Sequence, residues 1–180
     1  PLDPGYEDLT GLFPHDTDQG AALASYFGTS YYGGGLRFVV QQEYATLATT
    51  IASQIEQGGV PVNVEALAEN DYQVRIDSRQ FDLTLRTEDG DDSAAQYADP
   101  QSLSQYTDSQ AQDQYKAAMA APNDEEYQDG LRAFARTVSQ DAASDWLYSC
   151  RTFVAAQPRL SGYATNMVDR WLPLSDIALS

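Results

Sequence analysis

Residues Leu36–Arg86 read LRFVVQQEYATLATTIASQIEQGGVPVNVEALAENDYQVRIDSRQFDLTLR, and the periodicities inside this stretch decide the fold. LRFVVQQ is β-branched and aromatic and follows the glycines Gly33, Gly34 and Gly35, as a buried strand begins. The next segment sets Tyr44, Leu47, Ala48, Ile51, Ala52 and Ile55 three and four residues apart, which is one apolar stripe on a helix. Ile51, in mid-stripe, is expected to be fully buried. Gly58 and Gly59 end the helix, because glycine adopts the left-handed cap without a Cβ clash. Val60, Val62 and Val64 alternate as a second strand. Asn70 can cap a short helix, with Gln73 placed to reach back. Phe81, Leu83 and Leu85 alternate as a third strand. A strand-helix-strand crossover joins parallel strands with a right-handed connection. Ligands of such sheets sit beyond the carboxyl ends of the strands. The third strand runs into Thr87-Glu88-Asp89-Gly90-Asp91-Asp92, a polar and acidic loop, and this is the first place to look for a site.

Outward from this stretch, residues 1–15 read as an extended lead-in rich in proline. Asp16 caps a helix with Gln19 at the capping-box position; Ala22, Leu23, Tyr26 and Phe27 form its apolar face and Gly28 stops it. Gly33–Gly35 lack the Lys-Ser/Thr of a P-loop and read as a turn into the first strand. After the acidic loop, residues 96–108 read as loop with one helical turn. Ser109–Ala121 form a helix with Ala111, Tyr115, Ala118 and Met119 inward, broken by Pro122. Asn123 and Glu126 make a capping box for a helix whose stripe is Tyr127, Leu131, Phe134, Ala135 and Val138. Residues 146–148 and 152–154 are short strand candidates, and Leu160, Tyr163 and residues 169–174 continue that extended region. The spacing thus predicts strands near 36–41, 60–66 and 81–86 in one sheet, and helices at 16–27, 43–57, 109–121 and 124–142.

A chain of 180 residues suits one domain with a sizeable core. Its 12 Tyr, 6 Phe and 2 Trp separate it from disordered chains. The net charge of −17 repels phosphate backbones and anionic lipid head groups, which speaks against nucleic acid as a partner. All basic residues but Lys116 are arginine, which with the many Ala, Asp and Gln suggests a GC-rich bacterial source of actinobacterial type. Cys150 is the single cysteine, which rules out an internal disulfide and a cysteine-rich metal site. No apolar run approaches a membrane span. Pro1-Leu2-Asp3-Pro4-Gly5 has neither the basic start nor the apolar middle of a signal peptide.

Catalysis needs a nucleophile, a base and a stabiliser in one place. His15 is the only histidine and lies in the proline-rich approach to a helix, where a structural or solvated role is usual. Cys150 lies among aromatic and aliphatic residues, the setting of an inert thiol. There is no G-x-S-x-G elbow and no H-E-x-x-H pair, and no cofactor motif. The acidic loop departs from the spaced calcium-loop pattern with its distal Glu. It reads as a solvated loop or as a carboxylate that receives a cationic group such as a peptide amine.

The order LRFVVQQ, a helix ending Glu56-Gln57-Gly58-Gly59, VPVNVEAL, Asp71-Tyr72-Gln73 and Phe81-Asp82-Leu83 resembles the C-terminal lobe of extracytoplasmic solute-binding proteins of the dipeptide/oligopeptide class (family 5). The helix from Asp16, the two-helix stretch around Tyr115–Ala121 and Asn123-Asp124-Glu125-Glu126, and the segments Asp145-Trp146-Leu147 and Arg159-Leu160-Ser161-Gly162-Tyr163 extend the likeness over nearly the whole chain. The resemblance implies an α/β fold: one lobe, residues 1–180, of a type II periplasmic-binding-protein fold with a central mixed sheet flanked by helices. It implies a two-lobed parent whose N-terminal lobe is missing here, anchored as a lipoprotein on the outer side of the cell membrane. Its partners would be an ABC permease and a peptide or other small solute; it implies no catalysis and no cofactor. Asp91 falls where many peptide binders place an Asp that pairs with the peptide amino terminus, and Glu88, Asp89 and Gly90 line the same loop. Glu88 and Asp92 stand where the family has Trp and Tyr, so the aromatic floor is lost. Relatives bind nickel complexes, sugars and other solutes. Two further readings stay open: a hydrolase-type α/β domain using acidic residues, and a protein-interaction module with an acidic surface.

Overall fold

The computed structural model describes residues 6–9, 11–31, 34–88, 91–148, 155–163 and 177–179. The chain forms two compact units, one from Phe13 to Glu88 and the other from Pro1–Leu12 together with Asp89–Ser180.

The first unit carries the strand-helix-strand stretch. Helix α1 spans Thr17–Tyr31, strand β1 Leu36–Gln41, helix α2 Ala45–Gln57, strand β2 Val62–Leu67, helix α3 Glu69–Asp77 and strand β3 Leu83–Thr84. All three strands lie in one sheet of order β2-β1-β3. β1 pairs in parallel with β2 from Leu36↔Val62 to Gln41↔Leu67, and in parallel with β3 at Phe38↔Leu83 and Val39↔Thr84. Side chains alternate across a strand. Phe38 and Val40, 2% and 0% exposed, therefore share one face, where they pack on Ala48 and Ala52 of α2 and on Val62. Val39 points to the opposite face. There α3 buries Tyr72 and Ile76, and the Tyr72 hydroxyl lies 3.0 Å from Oγ1 of Thr84, the register partner of Val39. Helices on both faces are what a parallel sheet requires, since neither face can be left to water. The α/β class read from the sequence is the observed one.

Several local expectations shift. Ile51 is half-buried, because the helix meets the sheet through Ala48 and Ala52, 0% and 5% exposed. Small side chains there let the backbone come close, and Ile51 and Ile55 flank the contact. Gly59, with φ +89, takes the left-handed position, while Gly58 stays near helical geometry at φ −76. α1 runs through Gly28 to Tyr31, since one glycine weakens a helix without ending it. Its N-terminus is capped as expected: the Gln19 N–H donates to Asp16 Oδ1 at 2.8 Å. The face expected to be apolar leaves Leu23 and Tyr26 exposed. α3 begins one residue before Asn70, with Ala68 at the cap, and Gln73 bonds forward to Asp77 at 2.7 Å. Gly35 is a structural turn: at φ +75 an added Cβ would stand 2.8 Å from Asn63 Nδ2 and 3.1 Å from the Pro61 carbonyl oxygen.

The third strand is much shorter than 81–86. Its entry is held by an ion-pair clasp together with one main-chain bond to β1. Asp82 accepts from the Arg37 backbone N–H at 2.8 Å, from Nε at 3.0 Å and from Nη2 at 2.8 Å, and its own N–H donates to the Arg37 carbonyl at 2.9 Å. Hydrogen bonds from the Arg37 guanidinium hold the Asp82 carboxyl below the usual carboxylate range.

In the second unit a 3₁₀ helix, Asp91–Tyr97, precedes helices α4, Ser109–Met119, and α5, Asp124–Gln140. Strands β4, Leu160–Ser161, and β5, Ala178–Leu179, pair antiparallel. α4 is capped by Asp108, which accepts from the Ala111 N–H at 2.7 Å, and α5 by Asn123, which accepts from the Glu126 N–H at 3.0 Å. Tyr97, Ala111, Phe134 and Val138 form this unit's core, with Tyr115 and Phe134 ring centroids 5.2 Å apart. α4 and α5 approach closely at Gly130 and Ala118, and Met119, expected inward, is about half exposed. Residues 146–148 form no strand: Trp146, Leu147 and Tyr148 are exposed, and the Trp146 ring makes an edge contact with Tyr97 at 6.0 Å. The other strand candidates, 152–154 and 169–174, and Cys150, lie outside the described residues.

Candidate functional site

The sheet order defines where the chain opens. From central β1 the chain crosses to one side for β2, then returns past β1 to the other side for β3. In a 2-1-3 arrangement the reversal lies between β1 and β3, and the loops leaving the carboxyl ends of those strands diverge around it. After β1 comes a 3₁₀ turn, Gln42–Tyr44, and after β3 comes the segment 85–88.

The side chains at this edge are mostly acidic, amide or hydroxyl. Tyr44 and Thr87 reach across the divergence and share a hydrogen bond, Oη to Oγ1 at 2.8 Å. Glu88 sits 3.4 Å from Nε of Arg86, with its side chain 22% exposed. Beside them, the Gln41 side-chain amide donates to the Glu69 carboxylate, which joins the end of β1 to the first residue of α3. Carboxylates at Glu69 and Asp71 suit the first turn of α3, where the helix dipole favours negative charge. Glu88 pairs with Arg86, while Glu69 accepts from Gln41. An edge of this composition accepts hydrogen bonds from ammonium, amide and hydroxyl groups and repels anions.

Of the four loop residues singled out in the sequence, Glu88 is described in full and is already paired with Arg86. Asp91 opens the 3₁₀ helix Asp91–Tyr97 in the second compact unit. Asp89 and Gly90 lie outside the described residues. Sequence reading missed the other half of this edge. Tyr44 packs with the apolar stripe of α2 as expected, and its position directly after the polar run Gln41-Gln42-Glu43 at a strand end is the signal for its second contact, with Thr87. His15 is exposed at the approach to α1. Among the described residues, no three His, Cys, Asp or Glu side chains group as a metal centre needs, and no helix is long and apolar enough to cross a membrane.

No family model matches the chain, and no curated protein matches it. Among solved structures, the fold is that of a periplasmic binding protein. The particular likeness is to the periplasmic binding protein MelB of Agrobacterium fabrum C58, solved in complex with stachyose, with 18% sequence identity and a TM-score of 0.60. The match covers 73% of this chain and 25% of that one, so the chain corresponds to about a quarter of the length of MelB. The likeness is one of fold.

Proposed function

We propose that the chain is a solute-binding lobe of an extracytoplasmic binding protein that delivers a small solute to an ABC importer, and that it has no catalytic activity. The observation that carries this reading is the fold likeness to a periplasmic binding protein, joined to a sheet whose order opens a polar edge at the ends of β1 and β3. On this reading residues 1–180 work as one lobe, a second lobe closes over the solute, and the parent is held at the outer face of the membrane by a lipid anchor beside its permease. Peptide of the dipeptide/oligopeptide class is the proposed ligand, its ammonium meeting Asp91 in the loop of Glu88, Asp89 and Gly90. A neutral oligosaccharide is the second reading, favoured by the stachyose complex of the structural neighbour.

The test is calorimetry on the full-length gene product against short free-amine peptides, their N-acetylated forms and neutral oligosaccharides, beside a panel of peptide, ester and glycoside substrates. Saturable binding of one class with turnover at background is the expected result. Binding of none of them, or turnover abolished by a single acidic substitution, overturns the reading.

A further inference from the structure

We propose that Tyr44 is a positioning residue: its hydroxyl, bonded to Thr87, latches the loop after β3 and sets where Glu88 is presented at the sheet edge. The inference rests on the solute-binding reading above. β3 contributes two residues of ladder, Leu83 and Thr84, so strand pairing does not hold the residues beyond them. Asp82 is clasped by Arg37 ahead of the strand, and Leu85 packs against the core. Past Leu85, the tie back to β1's side of the divergence is the 2.8 Å bond between Thr87 Oγ1 and Tyr44 Oη.

Both ends of that bond are stiff. The Tyr44 ring packs against the cluster of Phe38, Val40, Ala48 and Ala52, and its backbone ends the 3₁₀ turn that leads into α2. Thr87 is β-branched, which restricts its χ1. A hydroxyl on a half-buried ring meeting a restricted hydroxyl therefore positions the backbone of residue 87. Glu88 follows directly and is held from its other side by Arg86 at 3.4 Å. A loop held this way enters binding already ordered, which lowers the entropy that a solute would otherwise have to overcome.

Backbone order parameters from 15N relaxation on the 180-residue chain test the latch without any solute. Tyr44→Phe keeps the ring, Thr87→Val keeps the branched shape, and Thr87→Ser keeps the hydroxyl. Losing the hydrogen bond should lower S² at Arg86, Thr87 and Glu88 from about 0.85 to below about 0.6 in Tyr44→Phe and in Thr87→Val. The double variant should be no lower than either single, Thr87→Ser should stay near wild type, and Val39 and Val40 should not move. In the full-length product, whichever of trialanine and stachyose the wild type binds should lose about fivefold in affinity in Tyr44→Phe, with a melting temperature no more than about 2–4 °C lower. Unchanged order parameters, additive effects of the two singles, or unchanged affinity overturns the latch while leaving solute binding intact. A wild type that binds neither probe overturns the solute reading and the role of Tyr44 together.

Discussion

Gly130→Ala should destabilise this protein even though alanine is the better helix former. Gly130 lies inside α5, where replacing glycine by alanine gains about 1 kcal/mol of helix propensity in a free helix. The tertiary contact opposes that gain. A Cβ on residue 130 would lie 2.7 Å from Ala118 Cβ and 3.0 Å from Ala118 Cα. Comfortable carbon–carbon separation is about 3.5–4.0 Å, so α4 and α5 must part by roughly 1 Å. The obstacle is a helix backbone and its Cβ, with no flexible chain end to swing aside. Parting the helices loosens the Tyr115–Phe134 contact at 5.2 Å and the packing of Phe134 and Ala111, which are 3% and 0% exposed. Overpacking of this kind costs about 1–3 kcal/mol. Set against the propensity gain of about 1 kcal/mol, the expected net loss reaches about 2 kcal/mol, or a melting temperature lower by up to about 8 °C. Urea melts followed by Trp146 fluorescence report on this unit through the ring contact with Tyr97. The midpoint should fall with the slope unchanged. Adding Ala118→Gly removes the 2.7 Å clash and should return part of the loss, so the two substitutions should cost less together than the sum of their separate costs. A Gly130→Ala protein more stable than wild type, or strict additivity in the double variant, would refute the close approach.

Two further outcomes follow from the geometry, and a third from the proposed peptide reading. Asp82 has a depressed folded-state pKa, so its contribution is present above the carboxylate's unfolded value near pH 4 and is lost as pH falls through the lower folded value. Asp82→Asn should cost about 1 kcal/mol or less at neutral pH, because the pair is 53% and 36% exposed, and should flatten the acid limb of stability in pH-dependent melts. Ile51→Ala should cost about 1–2 kcal/mol in denaturant melts, below the range of about 2–5 for a fully buried isoleucine, because Ile51 flanks the α2 contact; Ala48→Leu, at a fully buried site, should cost more. In the full-length protein, Asp91→Asn should weaken a free-amine peptide by about 2–5 kcal/mol and an N-acetylated one hardly at all, with calorimetry on both proteins and both peptides completing the cycle.

The crossover was legible because its signals are local. LRFVVQQ and VPVNVEAL announce strands by composition, the stripe of α2 announces a helix by spacing, and the two strands pair in register over six residues each. The capping box at Asn123 and Glu126 was read correctly for the same reason: both partners lie within one turn. What could not be read was set at a distance. Alternation in Phe81, Leu83 and Leu85 predicts a long third strand, but Asp82 finds Arg37, 45 residues away, and its carboxylate takes the Arg37 N–H that a longer ladder would use. The stripe of α2 identified the buried side without showing that alanines, and not Ile51, make the closest contact. Trp146-Leu147-Tyr148 has strand composition, yet a strand needs a neighbour, and sequence composition does not supply one.

The candidate site follows the same division. That a ligand edge lies at the carboxyl ends of the strands could be argued from parallel pairing alone. Which loops form it depends on strand order, and strand order depends on β3 returning to the far side of β1. Two contacts make that return possible: α3 packs on the face opposite α2, and Asp82 docks on Arg37 of β1. Thr87 then comes within reach of Tyr44, a residue 43 positions earlier that the helical stripe had already claimed. Of the acidic loop, Glu88 is the part described at this edge, and it was visible because charge shows in a sequence. The hydroxyl pair beside it appears only once the sheet has been folded in the order 2-1-3.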